Sequence, residues 1–137
     1  MKILIIDEDR RHLPEVIDLL RFNGHVVSQV DDWRDAVVKI REFDPDLLLL
    51  DLMMPSWDLN SSDCFGGYGT GAYVYETRIQ KEFPSLKFIV FSGVDPGVSI
   101  VKRIIDRLKT FTTFDGFLSK NQIEELLKRV GSPHHNS

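Results

Sequence analysis

The sequence has little cysteine, no excess of positive charge and no long apolar run. Its one cysteine, Cys64, cannot close an internal disulfide, which points to a reducing cytoplasm rather than an oxidising compartment. Lys and Arg total 17 against 21 Asp and Glu, a net charge of −4, so no basic surface recommends a nucleic acid as direct partner. The most apolar stretch, "LLLL" at 47–50, is far too short to cross a bilayer, and no membrane insertion is expected. The opening "MKILIIDEDRR" runs into acidic residues without a small-residue cleavage site, so it predicts no signal peptide. His12, His25, His134 and His135 show no metal-ligand spacing with Cys64, and neither a repeat nor an interdomain linker is visible. What is present is one domain's worth of chain, 137 residues with 42% hydrophobic and 28% charged positions, enough to bury a core.

β-branched and leucine-rich runs at 2–6, 25–30, 46–51, 87–92 and 116–119 predict five strands. Helices are expected between them. Pro14 suits a first helical turn, Val16, Ile17 and Leu20 share a face, and Gly24 ends the segment. Trp33, Ala36, Val37 and Ile40 recur at helical spacing before Pro45, with Trp33 a core residue. Further helices are expected over 72–83 and 98–111, and a last one after Asn121, with Glu124 three residues on as in a capping box. Strands alternating with helices argue for one parallel sheet covered on both sides. The segment 58–70 reads as a flexible loop with few apolar anchors, and "GGYGTG" inside it lacks the Lys-Ser/Thr of a phosphate-binding loop. The expected domain is 1–131, with the insertion at 58–70 and a disordered tail at 132–137.

In a parallel sheet, Asp7 and Glu8, Asp51, Ser92 and Lys120 fall at or just past the carboxyl ends of their strands, on the edge where open α/β sheets place ligands. Three carboxylates in one pocket repel one another unless a cation intervenes, and a hard oxygen-seeking ion such as Mg²⁺ suits them. An aspartate beside such an ion and a lysine is equipped to attack phosphorus. Trp57 lies close enough in sequence to cover the site.

"ILIIDED" at 3–9, "LLLLDLMMP" at 47–55, "FIVFSG" at 88–93 and "GFLSK" at 116–120 together resemble the receiver domain of two-component response regulators. The resemblance implies a flavodoxin-like, doubly wound, five-stranded parallel sheet of order 2-1-3-4-5 with five helices. It implies Asp51 as phosphoacceptor, with Asp7, Glu8, Asp51 and the Met53 backbone carbonyl around Mg²⁺. It further implies Lys120 as the phosphoryl-contacting lysine, Ser92 as the switch hydroxyl and Phe117 as the switch aromatic. The partners implied are a sensor histidine kinase or phosphotransfer protein and a downstream protein target. The module would be a stand-alone regulator or the receiver part of a longer chain, and no enzyme beyond its own Mg²⁺-dependent phosphorylation and dephosphorylation.

The sequence departs from the family at four places, one of them a longer stretch from Val94 to Asp115. Glu8 stands where Asp is usual, with Asp9 as an alternative donor. Asn121 follows the lysine where proline is usual, and the loop after Pro55 is longer. A pseudo-receiver that binds partners without phosphorylation is the alternative reading. A catalytic-Asp phosphatase would want a second Asp where Met53 stands, and a flavin protein would want a hydroxyl-rich loop where "DEDRR" stands.

Overall fold

The computed structural model describes residues 1–9 and 11–131; the tail at 132–137, with His134 and His135, lies outside the described residues. The elements alternate: β1 (Lys2–Ile6), α1 (Leu13–Phe22), β2 (Val26–Val30), α2 (Ala36–Phe43), β3 (Leu47–Leu50), then the helix α3. α3 is built from Thr70–Val74, a wider π turn at Tyr75–Ile79 and a closing turn at Gln80–Glu82. β4 (Lys87–Ser92), α4 (Ser99–Leu108), β5 (Phe114–Ser119) and α5 (Ile123–Val130) complete the chain. All strand pairs are parallel, in the order β2-β1-β3-β4-β5, as the resemblance implied.

Strand period 2 divides the core into two layers. Leu4, Ile6, Leu48, Leu50, Phe88 and Val90 face α2, α3 and α4. Their neighbours Ile3, Ile5, Leu47, Leu49, Ile89 and Phe91 face α1 and α5. The four leucines of β3 are apolar throughout because this central strand is covered on both faces, and each such side chain contributes about 1.5–3 kcal/mol. Trp33 is core as expected, and its indole N–H donates to the Pro55 carbonyl at 2.7 Å, tying the entry of α2 to the chain leaving β3.

Two local expectations change. The third helix begins at Thr70 rather than at 72, because Thr70 and Gly71 are buried and the Gly71 amide bonds to the Leu52 carbonyl at 2.9 Å. The segment before it is a chain of closed turns: Cys64 is fully buried, and its carbonyl accepts from the Gly67 and Gly69 amides at 3.0 and 2.9 Å. The capping box is not formed. α5 starts at Ile123, and Gln122 turns its amide oxygen back onto the Ser119 backbone N–H at 2.8 Å, a donor left unpaired where β5 ends. Asn121 is exposed, and no side chain caps α5.

Candidate functional site

The strand register brings the predicted residues to one mouth. Ile6 and Leu50 pair across β1 and β3, so Asp7 and Asp51 emerge side by side, with the Asp51 amide on the Ile6 carbonyl at 3.1 Å. Ser92 ends β4 and is fully buried. Its hydroxyl donates to Asp51 Oδ1 at 2.5 Å, and the Met53 amide reaches the same oxygen at 3.4 Å. The Lys120 amide bonds to the Ser92 carbonyl at 3.0 Å, which swings its side chain over the carboxylates. Lys120 Nζ stands 2.8 Å from Asp7 Oδ2, 3.2 Å from Asp9 Oδ2 and 3.6 Å from Asp51 Oδ2.

The electrostatics follow from burial and a shortage of positive charge. Burial and then the neighbouring Asp51 charge push the Asp7 carboxyl up to about 6, with Lys120 opposing. Asp7 Oδ2, although within ion-pair distance of Lys120, is buried without a hydrogen-bond donor. Asp9 moves the other way. Against the upward push of burial, the Arg11 and His12 amides and Lys120 hold its carboxyl below the usual range. For Lys120, burial acts to lower the pKa, but Asp7, Asp51 and Asp9 outweigh it and hold the ammonium above its usual value.

Of the four predicted metal donors, Asp7 and Asp51 meet. Glu8 is exposed at the rim, and Met53 lines the mouth. Asp9, rather than Glu8, shares Lys120 with them. Among the described residues, no three acidic, histidine or cysteine side chains are arranged as a ready metal cluster, since Lys120 is the cation the carboxylates share. The donor set still fits a hard divalent ion: it is all oxygen, and one buried carboxylate oxygen lacks a donor. Phe117 is half-buried on β5 opposite Val90, beside a separate cavity of about 460 Å³ that Lys102 and Ile105 also line. Trp57 does not cover the site: it lies outward with the Arg34 guanidinium 4.4 Å from its ring.

Sequence reasoning missed two features. A Cβ at Gly71 would lie 2.0 Å from the Asp51 carbonyl oxygen, so α3 meets the phosphoacceptor candidate backbone to backbone only because this residue is glycine. The available signal was a glycine at a helix start, where intrinsic preference is against it. The second is the wall of the mouth, a cavity of about 770 Å³ in which Met53, Tyr68, Val94, Val98 and Val101 stand above the carboxylates. Tyr68 comes from the inserted loop, and nothing in its local sequence pointed inward.

No family model matches the chain. It is 38% identical over 58 residues to the response regulator MprA of Mycolicibacterium vanbaalenii, covering 42% of this chain and 25% of that protein. It is 37% identical over 54 residues to the DNA-binding response regulator MtrA of Mycobacterium leprae, covering 39% and 24%. The chain thus spans about a quarter of the length of these curated relatives. A CheY-like receiver domain protein from Methanospirillum hungatei superposes with a TM-score of 0.70 at 22% identity, covering 94% of this chain and 89% of that one. The response regulator TrrA of Thermotoga maritima, solved with Mg²⁺ and a beryllofluoride, superposes with a TM-score of 0.64 at 17% identity, covering 95% and 98%. The chain has the receiver fold, and its sequence relatives are response regulators.

Proposed function

We propose that this domain takes a phosphoryl group onto Asp51 from a phosphohistidine of a sensor kinase or phosphotransfer protein, and passes the signal to a downstream protein. The observation that carries the reading is the convergence on Asp51: a buried hydroxyl at 2.5 Å, an ammonium at 3.6 Å, and an open mouth above. In the transfer, an Asp51 carboxylate oxygen bonds to phosphorus as the P–N bond of the donor breaks, its electron pair staying on the imidazole nitrogen. Lys120 stabilises charge on the phosphoryl oxygens, and Ser92 exchanges its hydrogen bond to Asp51 for one to the new phosphoryl group. The half-buried Phe117 then follows Ser92 inward and changes the outer face of β5. Asp7, Asp51 and the Met53 carbonyl would hold Mg²⁺, with Glu8 or Asp9 completing the set. When bound, the ion supplies neutralisation of the phosphoryl charge.

Intact mass after incubation with acetyl phosphate and Mg²⁺ tests this. One phosphoryl mass increment, lost in Asp51→Asn and absent without a divalent ion, is expected. A second reading, a binding module that does not cycle phosphate, is favoured by Lys120 already pairing all three inner carboxylates. No mass gain in the wild-type chain would leave that reading standing and remove the first.

A further inference from the structure

The side chains of Met53, Tyr68 and Val98 in the wall above Asp51 offer no charged group to a metal ion or a phosphoryl group. Met53, Tyr68 and Val98 expose 46%, 39% and 42% of their surface at this one mouth, an apolar rim that water solvates poorly. Below the rim, among the described residues, the lining carries more acid than base: Asp7, Glu8, Asp9, Asp51 and Asp95 against Arg11 and Lys120. The Asp7 side chain is 2% exposed, and its Oδ2, without a hydrogen-bond donor of good geometry, relies on the shared Lys120 ammonium at 2.8 Å. A cavity of about 770 Å³, with an apolar wall over converging charged groups, has the size of a small-molecule site.

We propose that this cavity binds a small organic cation with an apolar body, an aryl or alkyl ammonium or amidinium, its head toward the carboxylates and its body against Tyr68, Met53 and Val98. A cationic head adds charge-assisted hydrogen bonds to an acidic group that Lys120 alone balances in part, whereas an anion would be repelled and a neutral polar group would add no charge. A divalent ion answers the same charge but leaves the apolar wall open to water. The head and Mg²⁺ would draw on the same oxygens, so the two compete. This inference goes beyond the phosphoacceptor reading and requires no phosphoryl transfer.

The test is a titration of benzamidine and 2-phenylethylamine into the metal-free, isotope-labelled full chain, followed by amide shifts, with benzamide and phenylacetate as neutral and anionic counterparts. Saturable shifts at Tyr68, Gly93 and Val98 are expected, with cations binding about tenfold or more tighter than their counterparts. Tyr68→Ala and Val98→Asn should each weaken binding by about tenfold, and Mg²⁺ should raise the apparent Kd. Absence of saturable shifts with both cations, equal binding of benzamide or phenylacetate, or unchanged affinity in both variants would overturn the proposal. A chain that binds the amines but gains no phosphoryl group would sink the phosphoacceptor reading alone. A chain that is phosphorylated but blind to the amines would sink this one alone.

Discussion

Asp51 and Ser92 stand at the ends of neighbouring strands and take their places from the sheet register, whereas Trp57, Phe65 and Tyr68 take theirs from turns closed within a few residues. The difference shows in the backbone. Asp51 leaves β3 from a fully apolar, fully buried run, while Trp57 and Phe65 sit at φ of 48° and 51°, in a region that bulky side chains rarely occupy. Groups that must meet to within tenths of an ångström are mounted on the rigid part. Tyr68, which lines the same mouth, is mounted on a loop closed by its own turns.

The strongest way to break this division is to disturb the close backbone contact between the loop's exit and Asp51. Gly71→Ala forces a Cβ to within 2.0 Å of the Asp51 carbonyl oxygen, and backbone on both sides must move. A loss of about 3 kcal/mol in urea unfolding is expected, with an accompanying loss of phosphoryl uptake. A near-wild-type midpoint would mean that α3 is not locked to β3.

The next effect has the opposite sign. In metal-free buffer the Asp7 carboxyl is raised from 3.8 to about 6, so the folded state holds its proton more strongly than the unfolded chain does. Stability from this group is therefore complete below its ordinary pKa and is lost as pH climbs from about 4 to about 6. Asp7→Asn should raise the thermal midpoint at neutral pH and flatten that part of the profile, while abolishing Mg²⁺ binding. A variant less stable than wild type at pH 7 would show that the Lys120 ion pair outweighs burial and repulsion.

Shortening 58–63 to a Gly-Ser linker should cost about 1–2 kcal/mol, chiefly the packing of the partly buried Leu59 on the core, since loop length matters little and the buried Cys64 is retained. It should change the lifetime of an Asp51 acyl phosphate, followed by mass over time, because Tyr68 is no longer held over the mouth. Smallest of all, Trp57→Gly relieves the left-handed φ but removes the Arg34 stack at 4.4 Å. Terms of about 1 kcal/mol each then nearly cancel, leaving the melting temperature within a few degrees of wild type.

The reach of local pattern follows the same division. The strands, the burial of Trp33 and the edge on which Asp7, Asp51, Ser92 and Lys120 gather were legible because period and polarity report directly on layers in a parallel sheet. The start of α3 was misplaced by two residues because Thr70 and Gly71 are drawn into the helix by contact with β3, not by propensity. The cap at Asn121 failed for a similar reason, as the Ser119 amide at the end of β5 claimed the Gln122 side chain. Cys64 is buried, yet its flanking sequence is that of an exposed loop.

By itself the sequence determined the alternation of five strands and five helices, the two-sided core and the set of polar residues on one edge, since each follows from side-chain period and strand direction. Only the tertiary structure decided which carboxylates share Lys120, that Asp9 rather than Glu8 is among them, and that Tyr68 from a distant turn walls the mouth. Those outcomes depend on distances of a few ångströms between groups far apart in the chain. Packing sets such distances, and residue order does not encode them locally.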